Sequence, residues 1–172
     1  SSDVCSSDLE AHFRAGDIQA LTLADLPGQA DLAWASSPCQ DFSLAGDRAG
    51  LAGGRSGALV GVLQLVAGLA AEGRAPALVV IENVSGLLTA RGGEDVLALF
   101  FALKAAGYHF GALEIDAAHF LPQSRPRIFV IASRLSPPAS LTGPSPFQTP
   151  AIVRLRASLP ADLVPDWIDW AL

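Results

Sequence analysis

The chain has 172 residues, of which 51% are hydrophobic, and its 11 basic and 17 acidic residues give a formal net charge of −6. That length suits one domain of about 100–200 residues with a sizeable core, and no apolar run approaches the roughly 18 residues needed to span a bilayer. Two cysteines, Cys5 and Cys39, support neither a disulfide framework nor a zinc site, so no membrane and no metal are expected and a reducing cytoplasm fits.

The opening residues contain Ser-Ser-Asp twice, at Ser1 and Ser6, and show no periodicity; residues 1–9 read as a disordered or non-native terminus without the basic and apolar regions of a signal peptide. Gly16-Asp17-Ile18 follows, then Leu21, Leu23 and Leu26, and Pro27-Gly28 marks a turn. Asp31 to Ser36 is an apolar run long enough for a buried strand. It ends in Ser36-Ser37-Pro38-Cys39-Gln40-Asp41-Phe42-Ser43, which places a thiol at a strand end. Ligands of open α/β sheets collect outside the carboxyl ends of the strands, so this thiol is a candidate nucleophile. A lone cysteine is otherwise a small buried hydrophobe.

From Arg48 to Gly57 the chain is polar and glycine-rich, and mobility is expected unless a ligand or partner orders it. Ala58 to Ala71 carries Leu59, Val62, Leu63, Val66 and Leu69 near helical spacing, with Gly73 as its stop. Ala77 to Ile81 is the uninterrupted run of a strand buried on both faces, ending in Glu82-Asn83. Glu94 to Ala106 reads as a second helix with Gly107 as its cap, and Tyr108–Asp116 and Arg127–Ser133 as two further strands. Strand, helix, strand, helix, strand, strand predicts an α/β layered fold. The last two strands lack a crossover helix, which predicts an antiparallel strand at the end of a mainly parallel sheet. After Arg134, prolines and serines read as a linker, and Trp167 and Trp170 as packing aromatics.

Three strand ends thus carry a thiol at Cys39, a carboxylate and an amide at Glu82 and Asn83, and two guanidiniums at Arg125 and Arg127. Taken singly, Glu82 could be a solvated loop acid and the arginines surface charges. Parallel strands bring their carboxyl ends to one edge, so the groups converge. Acidity overall argues mildly against a nucleic-acid partner, but the arginines are locally concentrated and a positive cleft can coexist with an acidic whole.

These residues resemble the cytosine-5 DNA methyltransferase family. Pro38-Cys39-Gln40 with Phe42-Ser43 is similar to its nucleophile motif, Glu82-Asn83-Val84 to its second catalytic motif, and Gln123-x-Arg125-x-Arg127 to its third, in the family's order. Gly16-Asp17-Ile18 is similar to a segment whose acid touches the adenosine part of S-adenosylmethionine. The resemblance, from about Gly16 to Ser133, implies a Rossmann-like methyltransferase sheet. It implies S-adenosylmethionine as cofactor, with Asp17, Ser37 and Pro38 on its wall, and double-stranded DNA as partner. It implies Cys39 as the thiolate that attacks carbon 6 of a flipped cytosine, Glu82 at ring nitrogen 3, and Arg125 and Arg127 as fork-shaped donors. Gln40, Ser43, Arg48, Arg55, Asn83 and Gln123 are the expected substrate and DNA contacts, with Asn83 better suited to positioning.

No Phe-x-Gly-x-Gly segment precedes Gly16. The sheet is therefore expected to be incomplete on its N-terminal side, with 10–134 a partial catalytic domain and 135–172 a linker that could open a target-recognition region. Exposed edges of such a fragment would favour self-association. Two other expectations stand beside methyl transfer: a truncated, inactive fragment that binds DNA or another partner, and a thiol hydrolase using His12, His109 or His119 as base.

Overall fold

The structure is a computed structural model that describes residues 15–36 and 57–171. Its sheet contains β1 (Leu32–Ser36), β2 (Leu78–Asn83), β3 (His109–Asp116) and β4 (Pro126–Ser133) in the spatial order β1-β2-β4-β3. The helices are α1 (Ala58–Ala71), α2 (Glu94–Ala105) and α3 (Pro150–Ala157).

β1 and β2 pair in parallel, Leu32 opposite Leu78 and Ser36 opposite Glu82. Both pairings of β4 are antiparallel, with β2 on one side and β3 on the other. The antiparallel strand is therefore expected at the sheet's end but found inside it, with β3 outermost. Composition accounts for this: Ile128, Val130 and Ala132 are buried on one face while Phe129 and Ile131 point to the other, so β4 is apolar on both sides. An interior place pairs both of its ladder edges, while the helices cover one face and Ile168 and Trp170 pack with Ile131 on the other.

One sheet face carries Ala35, Val79, Ile81, Ile128, Val130, Ala132, Phe110 and Ala112. α1 packs on it through Leu59, Leu63 and Val66, and α2 through Val96, Leu99, Phe100 and Leu103. Gly73 and Gly107 both adopt positive φ just past their helices, and Arg74 N donates to Leu69 O while Tyr108 N donates to Leu103 O, so orphan helix carbonyls are satisfied.

Beyond β4 the proline-rich chain is packed rather than tethered loosely. Ile152, Leu155, Leu159 and Leu163 enter the main core. Trp167 sits edge-on to Phe100 and Phe110, at 5.8 and 6.4 Å between ring centroids. Ile168 N donates to Phe110 O at 2.7 Å and Trp167 bridges Phe110 in parallel, covering the outer edge of β3. Ile168 and Trp170 then join Leu113 in a second cluster on the opposite sheet face, where the Trp170 indole donates to Ile131 O at 3.0 Å. This crossing needs Gly111, because a Cβ there would lie 2.0 Å from Ile168 O.

At the other edge, β1 pairs only with β2 among the described residues. Its Trp34 is 57% exposed and meets Phe129 edge-on at 6.0 Å.

Candidate active site

The parallel strands β1 and β2 end at one edge of the sheet, and antiparallel β4 begins there. Asn83 is in register with Ile128, and Asp116, the last residue of β3, with Pro126. The end of one strand motif and the start of another are thereby brought together from 45 residues apart in the chain, Glu82 beside Arg127.

Glu82 and Arg127 lie on the same sheet face as Trp34 and Phe129, since Glu82 is in register with Phe129 and side chains alternate along a strand. Arg127 Nε is 3.9 Å from Glu82 Oε1, with both side chains about three-quarters covered (22% and 24% exposed). That separation is an ion pair rather than a hydrogen bond, so the carboxylate is poised with a cation beside it while its oxygens keep acceptor capacity. Arg127 also donates from a terminal guanidinium nitrogen to Pro126 O at 2.8 Å.

Asn83 points the other way. It is buried (3% exposed), and its Oδ1 accepts from Val84 N at 2.7 Å, so the amide braces the turn that leaves β2. Ser85, two residues on, has a buried hydroxyl oxygen without a hydrogen-bond partner among the described residues.

Arg125 and Gln123 are exposed in the β3–β4 connection. A residue that sequence reasoning passed over fixes this connection. The Asp116 carboxylate accepts from Ala118 N at 3.0 Å, Ser124 Oγ at 2.7 Å and Arg125 N at 2.6 Å. The Ala118, Ser124 and Arg125 hydrogen bonds, in that order, hold its carboxyl below its usual range. An aspartate two residues before a free amide was the available sequence signal, because aspartates cap such turns; the bonds to Ser124 and Arg125 are tertiary and carry no local signature.

Asp17 is exposed, and its Oδ1 accepts from Gln19 N at 2.9 Å in the turn that opens a short 3-10 helix, Ile18–Ala20. Ile18 packs over Gly61 of α1, which fastens that turn to the helix layer. The expected site residues Ser37, Pro38, Cys39, Gln40, Ser43, Arg48 and Arg55 lie outside the described residues, as does the Arg48–Gly57 segment up to residue 56. So do His12 and residues 1–9.

His109 begins β3 opposite Ser133, six positions along β4 from Arg127, and sits 3.3 Å from Asp166. Six strand residues span roughly 20 Å, so this imidazole is at the far end of the sheet. His119 packs edge-on to Phe147 at 5.3 Å. Among the described residues no group of three or more His, Cys, Asp and Glu side chains could hold a metal, and no helix is long and apolar enough to cross a membrane.

Known proteins resemble this chain in sequence and in fold. The family described as C-5 cytosine-specific DNA methylase matches residues 8–159. Among curated relatives, the Type II methyltransferase M.BsuFI of Bacillus subtilis is 36% identical over 117 residues, covering 67% of this chain and 27% of that protein. The Type II methyltransferase M.NgoBV of Neisseria gonorrhoeae is 31% identical over 141 residues, 76% of this chain and 32% of its own length. The chain thus spans roughly a third or less of these relatives. Among solved structures, S. pombe Dnmt2 methyltransferase superposes with a TM-score of 0.56 at 24% identity, over 73% of this chain and 38% of that one. The Entamoeba histolytica methyltransferase EhMeth gives 0.52 at 16% identity, over 76% and 41%. These two likenesses establish the methyltransferase sheet, and the match over residues 8–159 establishes the lineage: the chain belongs to the C-5 cytosine-specific DNA methylase family.

Proposed function

We propose that this chain carries the reaction centre of a cytosine-5 DNA methyltransferase acting on double-stranded DNA. The observation that supports it most is the Glu82–Arg127 pair at the sheet edge where β1 delivers the chain toward Cys39. Ser36 is in register with Glu82. Cys39 follows Ser36 by three residues in the sequence, and it is proposed to act beside that carboxylate.

Carbon 5 of cytosine is a weak nucleophile. Addition of the Cys39 thiolate to carbon 6 raises electron density at carbon 5; once carbon 5 carries the methyl group, loss of its proton to water and expulsion of the thiolate restore the ring. A free thiol, with pKa about 8.5, is mostly protonated at neutral pH, and neighbouring guanidinium charge favours the thiolate. Glu82 holds a proton at ring nitrogen 3 and accepts from the exocyclic amine, relieving the charge that thiolate addition creates. Arg127 keeps Glu82 oriented, and Arg125 presents a planar donor fork to the base carbonyl or the carboxylate. Asn83 holds the turn behind Glu82, and Gln123 stands at the mouth of the site.

The target atom is inaccessible in a stacked duplex, so the base must be extruded. Gln40, Ser43, Arg48 and Arg55 are proposed to contact the DNA from the segment after Cys39, whose hydroxyl and guanidinium groups suit backbone phosphates. Residues 135–172 are proposed to lead toward the region that reads the sequence.

S-adenosylmethionine, when bound, supplies an electrophilic methyl group. Asp17 fits one part of such a site: one oxygen serves its own turn, and an exposed carboxylate retains capacity for a hydroxyl or amine donor of the adenosine part. Ser37 and Pro38 are proposed to complete that wall. A chain that holds DNA or another partner without transferring a methyl group is the alternative reading. Calorimetry with S-adenosylmethionine separates the two: heat of binding by the full chain supports transfer, and none supports a DNA-binding or interaction role.

The nucleophile is tested by covalent capture. DNA containing 5-fluorocytosine, which cannot lose its substituent at carbon 5, should form a denaturation-resistant adduct with the full chain in the presence of cofactor. Cys39→Ser should abolish the adduct. An adduct that persists in Cys39→Ser removes Cys39 from the mechanism.

A further inference from the structure

We infer that Asp116 is a positioning residue for methyl transfer, the group that sets both the conformation of Arg125 and the register of Arg127 against Glu82; this rests on the roles proposed above for the two arginines. The β3–β4 connection runs from residue 117 to residue 125. A connection of that length has many conformations, each ordered residue costing about 1–2 kcal/mol of backbone entropy. Asp116 restricts it from within. One carboxylate oxygen takes the amides of Ala118 and Arg125, and the other takes the Ser124 hydroxyl, so the connection's start and end close on a single side chain.

Arg125 is fixed from both sides as a result. Its amide is held by Asp116 at 2.6 Å. Its own ψ is limited by Pro126, because a residue before proline is driven to extended conformations. Ala117 N donates to Arg125 O at 3.4 Å and closes the same ring of contacts.

Register is the second consequence. Asp116 is the last paired residue of β3, opposite Pro126, and Arg127 follows opposite Ile115. Side chains alternate with period two, so a slip of one residue would turn Arg127 to the face that carries Asn83 and away from Glu82. Proline cannot donate to the ladder at position 126. The Asp116 to Arg125 bond therefore anchors the ladder at the point where the backbone itself offers least.

The chemistry of the side chain suggests how to separate positioning from bulk. Asparagine keeps an oxygen for the Ala118 and Arg125 amides, and its amide can donate to the Ser124 hydroxyl, which can turn to accept. Alanine offers none of these. In the full chain, Asp116→Ala should lower turnover about tenfold or more while the KM for DNA stays within about twofold, and Asp116→Asn should recover most of the loss. In an Arg125→Ala background, Asp116→Ala should cost little further, because residues that act through one another are non-additive. Deuterium uptake over residues 117–127 should rise in Asp116→Ala and not in Asp116→Asn.

An Asp116→Ala protein that turns over within twofold of the unaltered chain, while Arg125→Ala does not, overturns the inference. So does an undiminished further loss in the Arg125→Ala background. If Arg125→Ala leaves transfer unchanged, the functional assignment of Arg125 fails instead. Deuterium uptake needs no turnover: in that case, or where the chain shows no transfer, faster exchange confined to 117–127 sustains positioning by Asp116, and unchanged exchange overturns it.

Discussion

Asp116 is ionised in a setting built to keep it so, and this links a side chain to the pH dependence of the fold. Three donors hold its folded pKa below its ordinary value of 3.8. A group whose folded pKa is depressed contributes stability that is fully present above the unfolded value and is lost as pH falls through the folded one. Asp116→Asn removes this dependence. Thermal midpoints measured from about pH 6 downward should therefore differ most between the two proteins above pH 4 or so and converge under more acidic conditions. Divergence that grows as pH falls would contradict the carboxylate's part in the turn. Glu82 shows the complementary case, a carboxylate whose partner Arg127 stands at 3.9 Å, close enough to orient it and too far to consume its acceptor oxygens.

At the level of elements, the outer edge of β3 depends on one missing side chain. Gly111→Ala would place a methyl carbon 2.0 Å from Ile168 O and crowd the Trp170 ring, whose Cδ1 lies 2.7 Å away. Overpacking of this kind costs about 1–3 kcal/mol, and chemical denaturation followed by tryptophan fluorescence should show that loss. Much of this layer was legible in the sequence. Ala58–Ala71 forms the helix that its apolar spacing predicted, with Gly73 ending it, because a helix face and a glycine cap are local signals. β2 likewise follows from its β-branched run. The place of β4 between β2 and β3 was not legible, since strand order is decided by which faces must be covered and not by neighbours in the chain. The segment after Arg134 misled for a related reason: its prolines and serines have the texture of a linker, while its anchors, Ile152, Leu155, Leu163, Ile168 and Trp170, are spread too widely to register as one element. Of the proposed site, the strand-end positions of Glu82 and Arg127 were legible from the motif and the apolar runs. Asp116 was not, because its decisive partners lie eight and nine residues away.

For the whole molecule, charge and exposure sit unevenly on one frame. A net charge of −6 coexists with Arg125 and Arg127 at the start of β4, and apolar Leu32 and Trp34 stay half exposed at the β1 edge. The insertion of β4 has a further consequence, in time rather than space. β3 and β4 are neighbours in the chain, joined through residues 117–125, and hairpins form in roughly 1–10 μs. β2 gains its second neighbour only when that hairpin docks, and β1 must close the long stretch between Ser36 and Leu78 before it pairs. Assembly of the sheet should therefore run against the direction of synthesis, the C-terminal hairpin first and the N-terminal pair last. Pulse-labelled hydrogen exchange during refolding should protect the amides of residues 109–116 and 126–133 before those of 32–36. A ribosome-bound chain that has not yet exposed β4 would hold β2 with one flank open, and that is the interval in which this protein would most need a chaperone.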